Sequence, residues 1–177
     1  MHKGLKMIIE RGDSLQRFMT AYASVAKLPP PSIDRFLLQD LLSKVTALHP
    51  DSVILEKSEE IFLFGDQDQL QAALINLVKN GLEAGTAKNK VIVAAERKYH
   101  GLIIQVIDDG PGVANQDNLF VPFYTTKDGG SGIGLVLSRA IAEAHKGTLK
   151  LYNRAQHSGC IADVWLPITT ESSTVAL

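Results

Sequence analysis

The chain has 177 residues, 45% of them hydrophobic, and a formal net charge of -1. That length fits one domain with an appendage, and the near-neutral balance excludes a general electrostatic pull towards nucleic acid or a membrane surface. A single cysteine, Cys160, rules out an internal disulfide. No apolar stretch reaches membrane-spanning length and no signal-peptide pattern or internal repeat is visible, so a cytoplasmic location is expected.

Leu5, Ile8, Gly12, Leu15, Met19, Tyr22 and Ala26 recur at alternating spacings of three and four. This is a coiled-coil or bundle seam of about three heptads, which needs a partner helix or the chain's own domain to cover it. Pro29-Pro30-Pro31 ends that helix and makes a stiff connector. A second helix is expected from Phe36 to Leu48, capped by Ser32 or Asp34, and His49-Pro50-Asp51 terminates it. Ser52 to Glu56 and Glu60 to Phe64 read as two short strands joined by a tight charged turn.

The longest helix follows, Gln67 to Ala84, with Asp66 as its cap. Leu70, Leu74, Leu77 and Val78 form its core face, and Asn76, Asn80 and Glu83 lie about one turn apart beside it. Asparagine is a poor interior helix residue because its side chain competes for backbone bonds. Two on one stripe read either as a solvated face or as hard oxygen donors of the kind that suit Mg²⁺.

Lys90 to Glu96 and Leu102 to Ile107 read as a strand pair joined by the polar turn Arg97 to Gly101. Their apolar runs exceed strict alternation, so helices cover the sheet on one face. The second strand stops at Asp108-Asp109-Gly110-Pro111-Gly112. Glycine there lets the backbone turn sharply and approach a ligand, and a carboxylate at that edge can accept a hydrogen bond from an amino group. From Pro111 to Ser131 no periodicity is visible, as in a functional lid. Phe120, Pro122, Phe123 and Tyr124 are its anchors, and Thr125, Thr126 and Lys127 bring hydroxyls and an ammonium next to a second glycine run, Gly129 to Leu135. That run opens a helix ending near His145 and Gly147, and backbone N–H groups at a helix start form a phosphate site. Thr148 to Tyr152 and Cys160 to Leu166 make a closing hairpin, and a polar tail follows.

Taken together, residues 33 to 167 resemble the catalytic ATP-binding domain of bacterial sensor histidine kinases, within the wider family that includes gyrase-type and mismatch-repair ATPases. Asn76 to Ala84 resembles the N box, which makes Asn80 the Mg²⁺ ligand, Asn76 its supporting partner and Glu83 a neighbour of the nucleotide. Asp108, Gly110 and Gly112 match the first glycine box, where the aspartate reads the adenine amine. Phe120, Pro122 and Phe123 match the lid's F box, with Thr126 and Lys127 near the phosphates. Gly130, Gly132 and Gly134, followed by Leu135, match the second glycine box. Gly81 stands where alanine is usual, and Lys146 where glycine is frequent.

The resemblance implies an α+β fold: a two-layer sandwich of a mixed sheet covered on one face by three helices, with the ATP lid between the glycine boxes. The expected layout is a partial dimerisation helix (1–28), a proline linker (29–32), the catalytic domain (33–168) and a tail (169–177). None of the histidines sits in a phosphoacceptor context, so the chain is expected to be a fragment of a longer kinase. The resemblance leaves a membrane anchor on that parent open; the fragment itself is expected to touch neither membrane nor nucleic acid. The implied chemistry is transfer of the γ-phosphoryl of Mg·ATP to a histidine on a dimerisation domain, then relay to a response-regulator receiver domain. Asn76, Asn80 and Lys127 would be the catalytic residues and the N-terminal helix would support a homodimer. Two other readings are an ATP-hydrolysing switch and a nucleotide-holding interaction module. The family's hydrolytic members carry a glutamate where this chain has Asn76, which favours transfer.

Overall fold

The computed structural model describes residues 28–56, 60–85, 90–127 and 130–168, together with Gly4, Met7, Arg11, Gly12 and Met19, which are helical. The rest of the expected seam, the charged turn at 57–59, Gly129 and the tail lie outside the described residues.

Seven strands and three helices follow in chain order among the described residues: β1 (Asp34–Leu37), α1 (Leu38–Thr46), β2 (Val53–Leu55), β3 (Phe62–Gly65), α2 (Gln67–Ala84), β4 (Val91–Lys98), β5 (Gly101–Ile107), α3 (Gly134–Ala144), β6 (Thr148–Asn153) and β7 (Cys160–Pro167). Five strands form one sheet in the order β2-β4-β5-β7-β6. The β2–β4 pair is parallel and the other pairs are antiparallel, so the sheet is mixed as expected. β1 and β3 form a separate antiparallel ribbon.

Alternation along the strands decides which face is covered. Val91, Val93 and Ala95 of β4, Leu102, Ile104 and Val106 of β5, and Ala162, Val164 and Leu166 of β7 are all buried. The register stacks them across the sheet, with Val93 opposite Val106 and Ile104 opposite Val164. Leu38, Leu41, Leu42 and Val45 of α1, Leu70, Leu74, Leu77 and Val78 of α2, and Ile141 and Ala142 of α3 complete one core against this face. Each fully buried aliphatic side chain contributes on the order of 1.5–3 kcal/mol.

Four expectations need correction. Phe36 and Leu37 are strand, not helix: Phe36 pairs across from Leu63, and the Leu38 N–H donates to the Ile61 carbonyl at 2.8 Å. Pairing with a segment almost thirty residues away overrides a helical pattern. Neither Ser32 nor Asp34 caps α1; Leu37 holds the cap position with no side-chain bond, and the Ser32 N–H donates to Asp66 Oδ2 at 3.0 Å. The two short strands do not pair with each other: β2 runs beside β4, and β3 beside β1. The β4–β5 turn is shorter than expected, only Tyr99 and His100, with Tyr99 at φ 57°.

Candidate nucleotide site

The site lies where α2, the end of β5, the lid and the start of α3 meet. Asp66 starts α2 as the sequence implies, its Oδ1 accepting the Gln69 N–H at 3.0 Å. That bond is the first cause holding the Asp66 carboxyl below its ordinary value. The Asp66 N–H donates to His145 Nε2 at 2.9 Å, and His145 Nδ1 meets the Ile141 carbonyl at 2.8 Å. A carbonyl only accepts and an N–H only donates, so this imidazole is the neutral Nδ1–H tautomer. It joins the start of α2 to the end of α3.

Asn76 faces α3. Its Nδ2 donates to Ser138 Oγ at 3.0 Å, and Ser138 Oγ donates to the Ala73 carbonyl at 3.3 Å. A side chain on Gly134 would collide with the Asn76 amide, so the last glycine of the second run is what lets the two helices close.

One turn further on, Lys127 reaches across from the lid. Its Nζ lies 3.3 Å from Asn80 Oδ1 and 2.8 Å from Glu83 Oε2. The lysine is the first cause of the lowered Glu83 pKa; Lys79, at 3.7 Å from the other oxygen, adds to it. An ammonium thus rests between an amide oxygen and a carboxylate, both hard donors. They fit a hard divalent cation that completes its shell with phosphates and water. Among the described residues no group of three or more His, Cys, Asp or Glu side chains is placed to hold a metal, so an all-protein cage is not built there.

Asp108 is buried at the end of β5. Its Oδ1 accepts the Gly110 N–H at 2.8 Å and the Cys160 N–H at 3.1 Å. This fixes the carboxylate and leaves Oδ2 engaged by neither bond. A Cβ on Gly81 would lie 3.3 Å from the Asp108 Cβ and 3.0 Å from Val91, so the missing methyl keeps this corner open. A Cβ on Gly110 would press on Ala84 at 2.9 Å. Burial, then the Asp108 charge, pushes the neighbouring Cys160 thiol up to about 11, so it stays protonated.

The lid, 111–131, has no helix or strand among its described residues. Its middle is tied to the glycine run that follows: the Phe123 N–H donates to the Gly132 carbonyl at 2.9 Å, with Phe123 at φ 69° and Gly132 at φ 65°. Phe120 packs against the core edge beneath the Arg139 guanidinium, 5.0 Å away, and Leu135 packs there too. Gly130 and Thr126 are exposed on the lid, and the Gly130 N–H donates to the Lys127 carbonyl at 3.1 Å. Sequence reasoning missed Ser138, His145 and the β6–β7 loop. The Gly134–Ser138 spacing of one helical turn was the only available signal for the first.

The model of the histidine kinase-, DNA gyrase B- and HSP90-like ATPases matches residues 65–170, more than half of the chain. This chain belongs to that family. Sporulation kinase B of Bacillus subtilis (strain 168) is 30% identical over 172 residues, which cover 92% of this chain and 40% of that protein. The chain therefore spans well under half of that relative's length. The catalytic domain of histidine kinase ThkA, in a nucleotide-free form, superposes with a TM-score of 0.69 at 27% identity, covering 77% of this chain and 96% of that domain. ThkA in complex with response regulator protein TrrA superposes at 0.71 and 24% identity, over 95% of this chain and 52% of that one, a likeness of fold. The histidine-kinase ATPase fold thus accounts for the sandwich of mixed sheet and helices, and the family's nucleotide is ATP.

Proposed function

We propose that this chain is the catalytic domain of a cytoplasmic protein-histidine kinase. It binds Mg·ATP and donates the γ-phosphoryl to a histidine on a dimerisation domain, for relay to a response-regulator receiver. The observation that carries this reading is the Lys127 ammonium between Asn80 Oδ1 and Glu83 Oε2. It supports a cation position between the N-box helix and the lid.

A bound Mg²⁺ would supply charge neutralisation for the phosphates there. Asn80 Oδ1 and the Glu83 carboxylate would hold it. Asp108 Oδ2 accepts the adenine amine, and the fixed Oδ1 sets its direction. The backbone at Gly132 and Gly134 gives phosphates close access to the start of α3. Lys127 leaves Glu83 and turns to the phosphates, holding them as a point charge. Phosphoryl transfer asks little more of the protein than positioning and charge stabilisation. Asn76 is an amide engaged with Ser138, so it offers no base for activating water, and transfer is favoured over hydrolysis. The seam around Gly12 and Met19 would pair with a second copy in a homodimer.

The test is to supply a histidine-bearing dimerisation domain in trans with labelled ATP. Acid-labile label on that domain, absent from its His→Ala variant, supports kinase activity. Phosphate release without transfer would favour the hydrolytic switch, and binding without either would leave an interaction module.

A further inference from the structure

The turn that carries Asp108 is held largely from outside itself. Asp108 extends the β5–β7 ladder by one step: its N–H donates to the Cys160 carbonyl at 3.0 Å. After it the chain leaves the sheet, and Gly112 turns at φ 82°. Such a turn has no ladder to satisfy its backbone, so its N–H and C=O groups turn to side chains or water. The six residues between β6 and β7 and the last residue of β6 supply them.

Asn153 Oδ1 accepts the Val113 N–H at 2.6 Å, and Asn153 Nδ2 donates to the Val113 carbonyl at 2.9 Å. Ser158 Oγ donates to the Gly110 carbonyl. Arg154 Nη1 donates to the Asp108 carbonyl at 3.3 Å and pairs with the Asp109 carboxylate. The Arg154 side chain is only 22% exposed, so its guanidinium is held rather than waving in solvent. Two glycines allow the loops to meet backbone to backbone. A Cβ on Gly112 would lie 2.7 Å from Asn153 Oδ1, and one on Gly159, at φ 122°, would collide with the Asp108 carbonyl. The loop is closed on itself by the Arg154 N–H donating to the Gly159 carbonyl at 3.1 Å.

We propose that Asn153 and Arg154 are positioning residues for nucleotide recognition. They clamp the Asp108–Val113 turn, so that the base-reading carboxylate and the root of the lid are set by the β6–β7 loop. This rests on Asp108 being the residue that reads the base. Arg154 fixes the peptide that carries Asp108, so its loss loosens base choice. Asn153 fixes Val113, where the lid departs, so its loss weakens binding of every nucleotide that the lid covers. Neither residue touches the nucleotide.

Calorimetric titration of ATP and GTP, each with Mg²⁺, on wild type, Arg154→Ala, Arg154→Lys and Asn153→Ala tests the proposal, with thermal melts alongside. Both alanine variants are expected to bind ATP about tenfold more weakly while remaining folded at the assay temperature. The ATP-over-GTP preference narrows in Arg154→Ala, holds in Asn153→Ala, and is partly restored in Arg154→Lys. A merely structural role would lower the melting temperature and leave the ATP affinity and the base ratio of the folded protein unchanged; that result overturns the clamp. If Arg154→Ala is unfolded, Arg154→Lys and Ser158→Ala are read by the same criteria. Wild type is the separate control: failure of wild type to bind ATP sinks the nucleotide reading itself, whereas normal wild type with indifferent variants sinks only the clamp.

Discussion

His145 Nε2 accepts the backbone N–H of Asp66 at 2.9 Å, across 79 residues of sequence. The two helices that carry the N box and follow the second glycine run are therefore joined at their far ends. The fit is close, since a Cβ on Gly65 would lie 2.9 Å from the imidazole. His145→Ala removes the acceptor of one N–H and the donor to the Ile141 carbonyl in a buried place. It should cost about 1–3 kcal/mol of stability, read by urea unfolding. A cost near zero would show that water or repacking replaces the imidazole.

Asp66 gives the fold an acid limb. Its carboxyl is lowered from 3.8 by the Gln69 N–H first, with Ser32 and Asp68 N–H groups adding to it against the cost of burial. A depressed folded value means that the stabilisation is complete above the unfolded value, about 3.9, and is lost as pH falls through the folded value below it. Asp66→Asn should flatten the pH dependence of unfolding below about pH 4. An unchanged slope would assign the acid limb to other carboxylates.

The end of α3 offers a stabilising change. Lys146 sits at φ 59°, the Gly147 N–H donates to the Ala142 carbonyl at 2.8 Å, and the Lys146 N–H donates to the Glu143 carbonyl at 2.9 Å. This is the helix stop that glycine favours, and a side chain in that region costs about 1 kcal/mol. Lys146→Gly should therefore raise stability by roughly that amount. A loss of stability would mean that the lysine makes up for its backbone.

Lys127 and Asn80 should separate in nucleotide binding. Asn80→Ala removes an oxygen from the proposed cation position, so Mg²⁺ should no longer tighten ATP binding, while metal-free binding persists. Lys127→Ala should keep the Mg²⁺ effect and lower transfer to histidine by about tenfold or more, as loss of a charge contact to the phosphates would. Equal behaviour of the two variants would contradict the separate roles.

Local signals carried much of this fold. Asp66 followed by an apolar period of 3.6 gave α2 to the residue, because cap and periodicity are both local. The Asp108 turn and the Gly134 helix start were equally readable from glycine next to strand and helix patterns. Pairing was not. Phe36 belongs to a strand only because Leu63 lies opposite, and β2 lies beside β4 only after a long crossover. The β6–β7 loop was invisible for the same reason. Asn153 meets Val113, and Arg154 meets Asp109, at separations of 40 and 45 residues, and no spacing rule reaches that far. Family resemblance singled out Asn80 and Lys127 as candidates, yet their contact with each other is set by the lid's path.

The most direct measurement is calorimetric titration of ATP, with and without Mg²⁺, into wild type and Asp108→Asn. The account predicts that wild type binds, that Mg²⁺ tightens binding, and that both are lost in the variant, whose amide places a donor against the adenine amine. No binding by wild type at ~1 mM nucleotide, the upper end of ordinary substrate affinities, would contradict it.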